Sequence, residues 1–237
     1  MTRSLSVALD SAAALRDAGG RDEPRLAVIA MAAELAGADA VRAGVVESLR
    51  PVRETDLYDL RRAARTLELR MAPTPSLLKL ALEVRPDRVI LASEPTAARL
   101  EPAPLDPGAL RGVVPAALRA LAEAGIPAWV RIAPELEAVK AARAANALGV
   151  ELASAGTVDL PDAERSLALE RFADAARMAA KLRLAVTAAG PHDARRVRAL
   201  VAAAPVLEGV VLGRDLVARA LLVGIDRAVR DVRAELA

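Results

Sequence analysis

Short apolar runs, bounded by glycine, proline or charged residues, recur eight times along the chain. Each is followed by a segment whose apolar positions repeat at helical spacing. The runs are residues 5–9, 40–45, 67–71, 88–92, 128–132, 150–153, 183–188 and 207–212, and all read as strands. The intervening pattern predicts helices over 26–36, 55–66, 75–84, 109–124, 135–148, 161–182 and 193–203, with a closing helix over 215–236. Local signals sharpen several ends: Gly37 suits a left-handed position just past a helix, and Pro75 suits a first turn. Residues 16–25, with Gly19, Gly20 and Pro24, read as a loop. So does the proline-rich segment 93–108 after strand four, which holds Pro95, Pro102, Pro104 and Pro107. Pro115 lies inside the helix predicted after it and should kink or restart that helix.

Strands separated by helices imply a parallel sheet with helices covering it. Eight such units favour closure, so the expected fold is a single (β/α)8 TIM barrel, one domain over residues 1–237. An open nucleotide-binding sheet has less support: no GxGxxG follows the strand ending near Asp10, and no Walker A motif occurs.

Composition narrows the chemistry. Apolar residues make up 54% and aromatics only 1%, so alanine, valine and leucine must fill a large core. Lys79, Lys140 and Lys181 are the three lysines among 33 basic residues, so the positive charge is almost all arginine. Against 31 acidic residues the net charge is +2, and no basic run is interleaved with aromatics; nucleic-acid binding is not expected. The absence of cysteine excludes disulfides, thiolate nucleophiles and zinc–thiolate sites. No window approaches a membrane span, and the first ten residues are too short for a signal peptide, so a cytoplasmic location is expected. One histidine, His192, is the whole imidazole inventory. That is sparse for a barrel enzyme working near neutral pH.

Several stretches resemble the pyridoxine 5′-phosphate synthase family, the barrel that closes the vitamin B6 ring. They are Leu5-Ser-Val-Ala-Leu-Asp10 with Leu15-Arg-Asp-Ala18, Ala33-Glu-Leu-Ala-Gly-Ala-Asp39, Met71-Ala-Pro-Thr74, Ala81-Leu-Glu-Val-Arg-Pro-Asp87 and Ala122-Glu-Ala-Gly-Ile126. Leu212-Gly213 and Ala218-Arg-Ala-Leu-Leu-Val-Gly224 complete a colinear, end-to-end set. The resemblance implies condensation of 3-amino-2-oxopropyl phosphate with 1-deoxy-D-xylulose 5-phosphate, no metal or organic cofactor, and a homo-oligomer. It also implies catalytic groups that this chain lacks. A histidine ending strand two becomes Gly44, a glutamate on strand three becomes Arg70, and a histidine after strand seven becomes Gly190. Further replacements fall at Ala8, Ser11, Gly19, Val46 and Arg214, while Asp10, Glu151 and Gly213 are kept.

Glycine carries no proton, and arginine stays charged at neutral pH, so neither can replace an acid–base group. The resemblance implies that Asp10, Gly44, Arg70 and Glu151 face inward; alternation from those positions then puts Ala8, Arg42 and Glu68, with Arg131 on strand five, inside the barrel too, so that Asp10, Glu68 and Glu151 stand opposite Arg42, Arg70 and Arg131. Three readings of that set stay open: a structural ion-pair network, an anion site, or residues that face solvent. Asp10, Ser11, Gly213 and Arg214 are the candidates for binding a phosphorylated small molecule; Gly213–Arg214 could equally be a plain turn. Thr187 and Ser154 are strand-end hydroxyls without a visible base, His192 suits a helix start at the surface, and Trp129 and Tyr58 suit packing. Three functions follow: a divergent homologue without ordinary synthase activity that binds a phosphorylated molecule, a non-catalytic assembly partner, or a synthase working through substituted groups.

Overall fold

A computed structural model describes residues 2–94, 102–154, 160–190 and 193–236. Eight strands run in the order β1 Ser4–Ala8, β2 Ala40–Val45, β3 Leu67–Met71, β4 Arg88–Leu91, β5 Ala128–Ile132, β6 Gly149–Ala153, β7 Ala185–Ala189 and β8 Gly209–Leu212. Each pairs in parallel with its sequence neighbours, and β8 pairs with β1, closing the barrel. The expected (β/α)8 barrel is what forms.

The helices are α1 Asp10–Ala18, α2 Leu26–Leu35, α3 Glu54–Ala63, α4 Pro75–Val84, α5 Pro107–Arg111 and α6 Val114–Glu123. They continue with α7 Leu136–Ala144, α8 Asp162–Lys181, α9 Ala194–Ala203, α10 Arg214–Val223 and α11 Ile225–Arg233. Several bounds depart from the sequence reading. Residues 16–18 are helical, the end of an α1 that the loop assignment missed; only at Gly19 does the chain leave the helix. The loop after β4 ends early because the Asp106 carboxylate accepts the Ala109 N–H at 2.9 Å and caps α5. The predicted 109–124 helix is interrupted and restarts with Pro115 in the first turn of α6. The closing helix is two helices, parted at Gly224, whose φ of 82° lies in the left-handed region. β7 starts two residues late because Arg183 has a φ of 59°.

Alternation sorts the strands cleanly. Leu5, Val7, Val41, Ala43, Leu67, Leu69, Val89, Val130, Val150, Leu152, Val186 and Leu212 join the main apolar core under the helices. The other face points inward. The pairing registers stagger the strands by about one residue each, so alternate strands supply successive four-membered layers. From the lower barrel towards the C-terminal mouth, these are Ser6, Glu68, Trp129 and Thr187; then Arg42, Ile90, Glu151 and Val211; then Ala8, Arg70, Arg131 and Ala189. Gly44, Ala92, Ala153 and Gly213 form the mouth layer. Barrel interiors are commonly filled by branched apolar side chains; in this one, five of the twelve side chains in the three lower layers are ion-paired arginines and glutamates.

Candidate functional site: the barrel interior and its mouth

The interior network begins at Glu68. Its carboxylate accepts the Ser6 hydroxyl at 2.8 Å, Arg42 through Nε at 3.0 Å and Nη2 at 2.8 Å, and Arg88 at 2.8 Å. Arg42 reaches across to Glu151, which also binds Arg131 at 2.7 Å. Arg131 in turn donates through Nε to the Pro102 carbonyl at 3.2 Å, fastening the loop after β4 to the top of β5. The Ser93 hydroxyl donates to the Pro104 carbonyl at 3.0 Å, a second tie of the same loop. The remainder of this loop, 95–101, lies outside the described residues.

Burial gives the network its electrostatic character. Arg42, Arg131, Glu68 and Glu151 are all sealed from solvent. Burial alone would raise the Glu151 carboxyl, but the Arg42 and Arg131 guanidiniums override it and hold the group down at about 2. Burial likewise opposes the charge on Arg42, and Glu151 with Glu68 outweighs it, raising Arg42 above its ordinary value. The opposite holds one layer up. Burial lowers Arg70, Asp10 only partly compensates, and the nearby Arg131 and Arg42 charges add to the lowering.

Asp10 opens α1 and projects over the mouth. Its Oδ1 accepts the Gly44 N–H at 2.8 Å and meets Arg70 Nη2 at 3.4 Å. Glycine at 44 is what allows this: a Cβ there would fall 2.0 Å from Asp10 Oδ1 and 2.6 Å from Arg70 Nη2. Asp10 and Arg70 thus occupy the space that a side chain at position 44 would need.

The other sequence candidates scatter. Ser11 is half-buried within α1. Gly213 packs at the rim, where a Cβ would come within 3.3 Å of the Ala8 Cβ. Arg214 starts α10 with its side chain 74% exposed and a long 3.5 Å contact to Asp215. Gly190 ends the described part of the rim after β7, and His192 lies outside the described residues. Thr187 is not a strand-end hydroxyl: it sits midway along β7 in the lower barrel, buried, with no hydrogen-bond partner for Oγ1 among the described residues. Ser154 is buried just beyond β6, its N–H bonded to the Ala189 carbonyl. Tyr58 packs half-buried against the outer core, whereas Trp129 lies inside the barrel under the Arg88 guanidinium, 3.9 Å from the ring centroid.

Sequence reasoning missed Arg88, Ser6 and the Pro102 carbonyl. The first two were available by alternation, since Arg88 shares its strand face with Ile90 and Ser6 shares its face with Ala8; the loop contact carried no signal. Among the described residues, no three His, Asp or Glu side chains gather as a metal site, and no helix is long and apolar enough to cross a membrane.

Comparison with known proteins agrees with this architecture and identifies its lineage. Among solved structures, a tryptophan synthase chain from M. tuberculosis superposes with a TM-score of 0.68 at 12% identity, over 99% of this chain and 93% of that one. Thiamine phosphate pyrophosphorylase from Pyrococcus furiosus gives 0.60 at 16% identity, over 98% and 95%. These likenesses show the barrel fold. Sequence relatives are nearer: pyridoxine 5′-phosphate synthase of Desulforapulum autotrophicum is 34% identical over 232 residues, 97% of each chain. That of Geobacter metallireducens is 34% identical over 231 residues, 96% of each. The family model described as pyridoxal phosphate biosynthesis protein PdxJ matches residues 5–237, and the chain belongs to that family.

Proposed function

We propose that this family member has lost the ordinary synthase reaction and retains a mouth that binds a phosphorylated small molecule. One observation carries the first half. Each interior carboxylate among the described residues is engaged by a guanidinium: Asp10 by Arg70, Glu68 by Arg42 and Arg88, Glu151 by Arg42 and Arg131. A condensation that forms an imine, expels water and closes a ring needs positioned proton transfers, each commonly worth about 10²–10⁴-fold. A carboxyl held near 2 between two arginines is a poor base at neutral pH, and Gly44, Arg70 and Gly190 offer no replacement.

The second half is supported by the β8 rim. The free N–H groups of the first turn of α10 favour an anion, Gly213 lets it approach the backbone, and Arg214 adds an exposed charged donor. Two measurements test the reading. Inorganic phosphate titrated by calorimetry should release heat with the wild type and markedly less with Arg214→Ala; negligible heat throughout removes the binding claim. Expression in a vitamin B6 auxotroph should leave the strain dependent on added vitamin, and robust growth removes the claim of lost activity.

A further inference from the structure

We infer that the outer face of α2 is a self-association surface. Two copies of this chain pair across a two-fold axis with their α2 helices antiparallel, each seating its Leu35 over Val28 of the other copy.

The composition of α2 comes first. Its ten residues carry one charged side chain, Glu34, and that one is buried and spent on Arg65. A helix that is apolar all round is ordinarily covered all round. Leu26, Ala30 and Ala33 are buried against the barrel, but Val28, Met31 and Leu35 stay 55%, 45% and 82% exposed. Their spacing of three and four sets them in one stripe along the helix. The neighbouring α3 has five charged side chains in ten positions, as suits a helix that meets water.

The shape around the stripe says what covers it. Between α2 and α3 runs a groove of about 550 Å³, with Ala27, Val28 and Met31 on one wall and Thr55, Asp59 and Ala63 on the other. The groove follows the first half of α2. Leu35, the most exposed of the three, stands one turn beyond Met31 and outside it. Knob and hollow therefore lie on one face, at opposite ends of one helix. A two-fold axis beside Met31 reverses the helix and matches position 35 with position 28. Each knob then meets the other copy's hollow, the self-complementarity that an isologous interface requires.

The charges at the rim permit this pairing. They are matched within each copy: Arg25 with Glu23, Arg53 with Asp22, Arg62 with Asp59. Two identical rims can thus meet without net repulsion. Across the same axis, the exposed Asp22 and Glu23 at the N-terminal end of α2 approach the other copy's exposed Arg65, which lies beside Glu34 in the last turn. A small anion fits the groove less well, because Arg16, Arg53 and Arg62 are already held by aspartates.

The experiment sediments the full chain at micromolar concentration. The wild type should run as a dimer or an even multiple of the chain. Leu35→Asp places a carboxylate on the apolar seam twice per interface and should weaken association about a hundredfold or more. Its mass should fall at the same concentration, with the far-UV circular dichroism of the wild type. The chain has no cysteine, so Met31→Cys, beside the axis, should form a disulfide-linked dimer under mild oxidation. Leu136→Cys, exposed on α7 across the barrel, should not. The cysteine variants provide the test if the aspartate variant does not fold. A wild type that sediments as a monomer overturns the inference and leaves the face to a different partner. A folded Leu35→Asp of unchanged mass overturns it as well, and so does a Met31→Cys that cross-links no faster than Leu136→Cys.

Discussion

Glu151 carries the most consequential single charge in the molecule. It is fully buried and touches two guanidiniums, so Glu151→Gln would keep its shape and set a neutral amide where Arg42 and Arg131 now meet a charge. Removing one member of a buried ion pair typically destabilises by about 3–5 kcal/mol. The pH dependence has a definite sign. The folded carboxyl, at about 2, lies below the ordinary 4.5. Its contribution is therefore complete above the ordinary value and disappears as pH falls towards the folded one. The shift corresponds to on the order of 3 kcal/mol. Urea denaturation of wild type and Glu151→Gln should show a constant gap above about pH 5 that narrows steadily in acid; a gap unchanged in strong acid would contradict this assignment. Gly149 makes a second residue-level test. A Cβ there would fall 2.6 Å from the Trp129 ring, which Arg88 already covers on one face. Gly149→Ala should destabilise by about 1–3 kcal/mol through overpacking. It should also shift the emission of Trp129, the chain's single tryptophan.

At the scale of elements, α1 depends on a contact that no local pattern reveals. Its sequence is mostly alanine and polar residues, its one large apolar side chain, Leu15, is half exposed, and what fixes it is Arg16. That buried guanidinium holds the Asp56 carboxylate at 2.5 and 2.8 Å and donates to the Pro51 carbonyl at 3.0 Å. Asp56 also accepts the Arg53 N–H at the start of α3, so one carboxylate ties two helices together. Asp56→Ala should raise hydrogen exchange across residues 10–18 while leaving the strands protected; unchanged exchange there would mean that α1 stands without the pair. This explains what was legible in the chain. The strands showed as short bounded apolar runs because their outward faces must bury valine and leucine. The inward arginines and glutamates followed from alternation once the family resemblance had marked which face points inward. α1 and the break at Gly224 did not, since one rests on a partner forty residues away and the other on a backbone angle rather than a side-chain pattern.

The whole barrel keeps the usual apolar layer between sheet and helices but departs from the usual interior, setting paired charges along its axis. Such an interior tolerates few independent changes, because each member satisfies others in adjacent layers. This bears on the proposed loss of synthase chemistry, and on what returning its groups one at a time would do. A histidine placed at position 44 must begin with a Cβ, and that point lies 2.0 Å from an Asp10 oxygen and 2.6 Å from an Arg70 nitrogen. The imidazole can enter only if the Asp10–Arg70 contact is expelled, and Asp10 then loses its hold on the Gly44 N–H as well. Gly44→His should therefore destabilise the protein by about 1–3 kcal/mol and leave a vitamin B6 auxotroph unable to grow without supplement. Combining it with Arg70→Glu clears the guanidinium but sets a second carboxylate close to that of Asp10, where like charges repel. That double variant should be silent too, with a lower unfolding midpoint than either single change. Growth supported by Gly44→His alone would mean that Asp10 and Arg70 yield readily, and that the ion-paired interior never barred the reaction.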